Sequence, residues 1–200
     1  MPTLTEQKKQ WRAMCLARRS SLSTAERLAA DTALSDTIAR HSAFLHADLV
    51  LAFSPVRGEP DLSLLCELAA MRHIPVAYPR CEGKDMTFHV IRKREELVVD
   101  RFGIPAPAAN APVATPTKRT LCLLPGLAAG LDGTRLGYGG GFYDRFLDTF
   151  PGITLFPIYH CLLFPTLPTE STDQTVHHIV TEKGEIRLHV QADPGASLIP

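Results

Sequence analysis

The chain is 200 residues long, 45% apolar and 21% charged, with 21 basic residues balanced by 21 acidic ones. That is enough apolar material for one domain with a sizeable core, and it excludes a chain disordered throughout. The neutral balance also excludes a global field that would draw in nucleic acid or an anionic membrane surface, so any bound anion must be held by a local cluster.

The first fifty residues read as two helices. Residues 4–19 hold no glycine or proline, and Lys8, Arg12 and Arg19 fall four and seven residues apart, which sets them on one helix face. Ser23 followed by Glu26 predicts a capping box for the second helix, whose Ala30, Leu34 and Ile38 recur as a buried stripe. Residues 49–53, Leu-Val-Leu-Ala-Phe, form an apolar run that stops at Ser54-Pro55. Such a run marks a strand buried on both faces, and strands of that kind belong to parallel sheets. A helix-like stretch over 61–73 follows, then short strands at 74–78, 86–91 and 120–124. A short helix over 141–149, a strand over 153–159 and a last strand at 178–181 complete the order. The alternation predicts an α/β fold: a single-domain, Rossmann-like, open, mostly parallel sheet flanked by helices, with the N-terminal helices packed on it. Residues 102–118 contain Pro105, Pro107, Pro112 and Pro116 and are expected to be a loop draped over the surface, positioned to line a site.

No apolar run approaches the roughly 18 residues of a membrane-spanning helix. The polar, basic start over residues 1–12 is not expected to be a secretory signal. Cys15, Cys66, Cys81, Cys122 and Cys161 are scattered with no Cys-x-x-Cys pair, so neither a zinc cluster nor a disulfide framework is expected, and the protein is expected to be cytoplasmic. His177 and His178 would face opposite sides of a strand and are read as structural.

The most informative stretch follows the strand at 120–124 and leads into a helix. Ligands of open α/β sheets bind at the carboxyl ends of strands. There, Gly137, Gly139, Gly140 and Gly141 would let the backbone approach a phosphate closely and offer it free N–H groups. Arg135 adds a fixed planar charge, and Asp132 and Asp144 are hard oxygen ligands for Mg²⁺. Neither a Gly-x-x-x-x-Gly-Lys-Ser/Thr loop nor a clean dinucleotide fingerprint occurs.

The run Arg135-Leu136-Gly137-Tyr138-Gly139-Gly140-Gly141-Phe142-Tyr143-Asp144 resembles the Arg-Leu-Gly-x-Gly-x-Gly-[Phe/Tyr]-Tyr-Asp signature of the 5-formyltetrahydrofolate cyclo-ligase (5,10-methenyltetrahydrofolate synthetase) family. Other segments are similar to that family in the same order. Lys8-Lys9-Gln10-Trp11-Arg12 resembles its N-terminal Lys-x-x-x-Arg nucleotide contact, and Phe53-Ser54-Pro55-Val56-Arg57-Gly58-Glu59 its substrate segment. Gly103-Ile104-Pro105-Ala106-Pro107 and residues 173–182 are similar to two further stretches. Ala106 stands where the family usually has Glu, and His177 where an Asp is common.

The resemblance implies ATP-dependent closure of the formyl group of 5-formyltetrahydrofolate onto N10, through a phosphorylated formyl intermediate, with release of ADP and phosphate. It implies ATP contacts from Lys8, Arg12 and the whole run from Arg135 to Tyr143, with Arg135 and Tyr143 catalytic. Folate would be met by Phe53, Ser54, Glu59, Tyr138, Gly139, Gly140, Gly141 and Phe142, and Mg²⁺ by Asp132 or Asp144. Arg19 is expected to remain on a solvated basic face. A monomer without nucleic-acid or membrane partners is expected. Two other readings stay open on the residues alone: a non-catalytic folate or nucleotide sensor on the same scaffold, and a sugar-phosphate isomerase using Glu59 as its base.

Overall fold

The computed structural model describes residues 2–170 and 172–188. Helix α1 (Leu4–Ser20) starts at a capping box, in which Thr3 and Glu6 satisfy each other's N–H groups. Helix α2 (Thr24–Arg40) starts at the Ser23–Glu26 box that the spacing predicts, and its Ala30, Leu34 and Ile38 are buried. One turn, α3 (Ser42–Leu45), leads to β1 (Leu49–Leu51), then α4 (Ser63–Met71), β2 (Val76–Glu82) and β3 (Asp85–Ile91). The remaining elements are β4 (Val98–Val99), β5 (Pro105–Ala106), β6 (Thr120–Leu123), β7 (Ala128–Gly130), β8 (Arg135–Leu136), α5 (Phe142–Leu147), β9 (Ile153–Pro157), β10 (Leu163–Phe164), β11 (His178–Thr181) and β12 (Gly184–Ile186).

Seven strands make the main sheet in the order β12-β11-β9-β6-β1-β2-β3. The five inner strands are parallel, and β3 and β12 close the two edges in antiparallel register. Every residue of β1 and β6 is buried, as expected of strands covered by helices on both faces. Helix α2 packs on α4 and β11, and α1 lies against the turn at 160–162. Among the described residues no helix is long and apolar enough to cross a membrane.

The mostly parallel α/β sheet follows the expected pattern, and two features depart from it. The stretch between β6 and α5, for which the sequence predicts no strand, folds into β7 and β8, which with β10 form a second, three-stranded sheet. Those strands are two or three residues long, too short for a hydrophobic period to register. The proline-rich stretch 102–118 does drape over the surface, but it serves the sheet edge. Pro105–Ala106 pairs with Val98–Val99, the Val90 N–H donates to the Pro112 carbonyl at 2.8 Å, and the Ala114 N–H donates to the Phe88 carbonyl at 2.7 Å. Edge strand β3 is thereby shielded from pairing with another chain.

Leu123 sits fully buried on β6, between β1 and β9. Leu123→Ala is expected to lower the unfolding free energy by about 2–5 kcal/mol, the range for a core cavity that relaxes only partly, measured as a drop in the urea midpoint at constant slope.

Candidate active site

Strand β1 lies between β2 and β6, so the chain leaves it in one direction through β2 and β3 and later builds β6, β9 and β11 on the other side. That reversal is a topological switch point, where the ends of neighbouring strands diverge and a crevice forms. The segment after β1 carries Phe53, Ser54 and Glu59 to the crevice, and the segment after β6 carries Pro125 and Gly126.

The basic face of α1 closes over this crevice. Lys8 is only 6% exposed, and its Nζ donates to Asp173 Oδ2 at 2.6 Å and lies 3.2 Å from Glu170 Oε2. Arg12 Nε donates to the Gly137 carbonyl at 2.9 Å. Arg19 departs from its expected solvated face. It is 1% exposed, and its guanidinium donates to Tyr138 Oη at 3.0 Å and to the Gly126 carbonyl. The helical spacing does place the three cations on one face, which is buried in protein at Arg19 and turns toward a cavity at Lys8 and Arg12.

The segment after β8 supplies the opposite wall. Arg135 is 7% exposed; its Nη1 donates to the Pro125 carbonyl at 3.2 Å and its Nη2 to Asp144 Oδ1 at 2.8 Å. The guanidinium also sits 5.7 Å from the centre of the Tyr143 ring. Gly139, with φ +94°, adopts a conformation that side chains rarely take. The amides of Gly139 and Gly140 donate no hydrogen bond to the described residues. Between the two walls opens a cavity of about 800 Å³. Lys8, Arg12, Arg135, Leu136, Gly137, Gly139, Gly141 and Asp144 line it, as do Arg145, Glu170 and Asp173.

The other expected residues lie elsewhere. Asp132 is outside this cavity, and its carboxylate accepts the Thr134 N–H at 3.1 Å and the Thr134 hydroxyl at 2.6 Å, closing the β7–β8 turn. Phe53, Ser54 and Glu59 are buried behind the cavity, and the Ser54 hydroxyl donates to the Pro105 carbonyl. Glu59 Oε2 accepts the Val56 N–H at 3.0 Å, while Oε1 is buried without a partner. Burial pushes the Glu59 carboxyl above its ordinary value, against the opposing pull of the Val56 N–H and of Arg19. Tyr138 turns inward between Arg19 and Glu59, and Arg57 lies 5.7 Å over its ring. Phe142 lies under the Arg145 guanidinium at 5.1 Å, and Gly140 gives its carbonyl to that same side chain at 3.2 Å. The Tyr143 hydroxyl is buried without a partner, and burial raises its pKa so far that it stays protonated.

Glu170 and Arg145 carry no sequence signal for this site, and Asp173 carries only a resemblance without a role. The carboxylate pair reaches Lys8 across some 165 residues of chain, and contacts of that range leave no local pattern. The histidine pair is structural. His177 Nδ1 accepts the Thr154 N–H at 3.0 Å, and His178 Nδ1 meets Glu185 Oε1 at 2.8 Å. His41, His178 and Glu185 do cluster, but the Ala43 N–H donates to His41 Nδ1 at 3.1 Å, which leaves the Nε2 proton to face Glu185. The grouping is satisfied by its own hydrogen bonds, at the amino end of β11 and away from the crevice.

A Cβ on Gly139 would stand 3.2 Å from the Arg12 guanidinium, in a strained backbone conformation. Gly139→Val is expected to weaken ATP binding at least tenfold in the folded protein and, because Val is strained at this positive φ, to lower the melting temperature as well. Calorimetric titration with a non-hydrolysable ATP analogue measures it, and an unchanged affinity would remove this segment from the nucleotide site.

Comparison with known proteins places the chain in a family. The family model for the 5-formyltetrahydrofolate cyclo-ligase family matches residues 4–182. The 5-formyltetrahydrofolate cyclo-ligase of Escherichia coli K12 is 33% identical over 143 residues, covering 68% of this chain and 78% of the relative. The solved structure of 5,10-methenyltetrahydrofolate synthetase from Aquifex aeolicus superposes with a TM-score of 0.81 at 28% identity, covering 93% of this chain and 95% of that one. The synthetase structure from Mycoplasma pneumoniae, at 19% identity and a TM-score of 0.72, covers 88% of this chain and 98% of that one and shares the fold. With the match running from the basic face of α1 through the glycine segment to the end of β11, the chain belongs to the 5-formyltetrahydrofolate cyclo-ligase family.

Proposed function

We propose that the 800 Å³ cavity holds ATP and that the buried crevice at Glu59 receives the pterin ring of 5-formyltetrahydrofolate. The chain then carries out the family's reaction, ATP-dependent cyclisation to 5,10-methenyltetrahydrofolate. One observation carries the assignment: Lys8, Arg12 and Arg135 line one cavity together with Gly139, whose amide donates no hydrogen bond to the described residues. Backbone donors and fixed cations are what a terminal phosphoryl group requires.

The chemistry follows from the weakness of the formyl oxygen as a leaving group. The γ-phosphoryl group passes from the β–γ bridging oxygen of ATP, which departs on ADP, to the formyl oxygen, giving an iminium phosphate. N10 attacks the formyl carbon and loses its proton, and the C–O bond breaks with its electron pair leaving on phosphate. No nucleophile of the chain is needed. The residues position the two substrates and stabilise charge. Arg135 is preorganised for this by its hold on Pro125 and Asp144. Lys8 would exchange the carboxylates of Asp173 and Glu170 for phosphate oxygens. Tyr143, kept protonated, is a donor for a developing oxyanion.

Mg²⁺ fits the chemistry of the donor set, since Asp144 and Asp173 bring carboxylate oxygens to the cavity. These two would hold the ion, which supplies neutralisation of phosphate charge; Asp132 is committed to its turn. A monomer suffices, because one chain provides every lining residue. The five free cysteines suit the reducing cytoplasm.

The direct test is incubation with 5-formyltetrahydrofolate, ATP and Mg²⁺, followed by the ultraviolet absorbance of the methenyl product; no absorbance change would refute the assignment. Arg135→Ala is expected to raise KM for ATP and to lower kcat by roughly 10²–10³-fold, the usual cost of losing one preorganised transition-state donor. Glu59→Gln is expected to raise KM for the folate well above any change in KM for ATP, and equal effects on both would remove Glu59 from the pterin site.

A further inference from the structure

Arg19 is the most deeply buried charged side chain among the described residues, and it makes no ion pair with any of them. A buried cation with no carboxylate in direct contact carries a large desolvation penalty, one that an apolar side chain at the same position of α1 would avoid. Packing alone therefore does not account for it. Its surroundings do. The guanidinium reaches the Gly126 carbonyl after β6 and Tyr138 Oη in the glycine segment, and its stem runs beside the turn after β1 that carries Glu59. Arg57 and Gly58 both have positive φ in that turn, at +49° and +75°. The turn closes through the Glu59 N–H donating to the Val56 carbonyl at 3.0 Å. A Cβ on Gly58 would touch the Arg19 stem at 3.6 Å. One side chain thus gathers both lips of the switch-point crevice and the glycine segment.

We propose that Arg19 is a positioning residue for the folate half of the reaction: its guanidinium, held by Tyr138 Oη and the Gly126 carbonyl, keeps the Glu59 carboxylate ionised and aligned toward the pterin ring. The proposal rests on the placement of the pterin at Glu59 made above. The groups facing Glu59 are few. Arg19 comes from α1, Arg27 lies beside Gly58 from α2, Tyr138 comes from the glycine segment, and Tyr143 comes from α5. Both tyrosines are held protonated by burial. Arg57 is exposed and turned over the Tyr138 ring. Arg19 is thus the buried cation set against the desolvation that pushes Glu59 toward its neutral form. Because burial raises the carboxyl, the ionised form is lost as pH falls through that raised value, and removing Arg19 must move this limb to still higher pH.

The test measures methenyl formation by full-length Arg19→Met and Arg19→Lys, with folate and ATP varied in turn across pH. Arg19→Met is expected to lower kcat/KM for the folate roughly 10- to 100-fold, the equivalent of one charge-assisted hydrogen bond, with KM for ATP little changed. The acid limb of its folate kcat/KM should rise by about one to three pH units, the shift that an adjacent opposite charge confers on a carboxylate. Arg19→Lys, which keeps the charge, should leave that limb near its original pH. A folded Arg19→Met with an unmoved limb, or with equal losses for folate and ATP, would reduce Arg19 to a structural pin and overturn the proposal. Should Arg19→Met not fold, the double-mutant cycle of Arg19→Lys with Glu59→Gln decides. Coupled losses in folate kcat/KM support the proposal, and additive ones overturn it. Absence of methenyl product from the unaltered chain, or a silent Glu59→Gln, would instead bring down the pterin placement and this inference with it.

Discussion

The site depends on one contact: the basic face of α1 laid against the segment from Gly126 to Gly139. Arg12 holds the Gly137 carbonyl and Arg19 holds Tyr138 and the Gly126 carbonyl. Lys8 engages the carboxylates of the 170–173 stretch. These are charge-assisted bonds in partly or fully desolvated positions, where each is worth more than a surface ion pair. The helix is thus a wall of the cavity as well as a layer over the sheet, and three cations from one helix face meet three separate stretches of chain.

Around that contact the chain separates two tasks. The open cavity is lined by paired cations and carboxylates, Lys8 with Asp173 and Glu170 and Arg135 with Asp144, as suits a charged nucleotide and a divalent ion. The crevice behind it is buried and holds groups whose charge is hard to keep: Glu59 with a raised pKa and an unpaired oxygen, and Tyr143 with an unpartnered hydroxyl. Half-satisfied buried polar groups are costly in a core and are most often retained where a ligand completes them. Arg135 lines the cavity, while Tyr138 turns away from it toward Arg19 and Glu59.

The order of helices and strands was legible because long amphipathic and apolar runs carry strong periodic signals. The capping box at Ser23 and the apolar runs at 49–53 and 121–124 left little freedom in their assignment. The short strands β7, β8 and β10 were not legible, because two or three residues carry no period. The glycine segment stood out by composition, and its flanking Arg135 and Asp144 proved to be bonded to each other. Asp132, equally acidic and closer to Arg135 in sequence, closes a turn instead. Nothing in the identity of the two aspartates separates these fates; the geometry of the β7–β8 turn does.

By itself the sequence determined the fold class, the family and the chemical character of the cavity, because each rests on local patterns: helix faces, buried runs and an unusual string of glycines between an arginine and an aspartate. Tertiary structure alone decided which charges meet. It buried Arg19, brought Glu170 and Asp173 to Lys8, set Glu59 behind the cavity and retired Asp132 from it. The physical reason is range. Burial and ionisation are set by neighbours far away along the chain, and these come together only when β1 and β6 diverge at the centre of the sheet and α1 folds back across the gap.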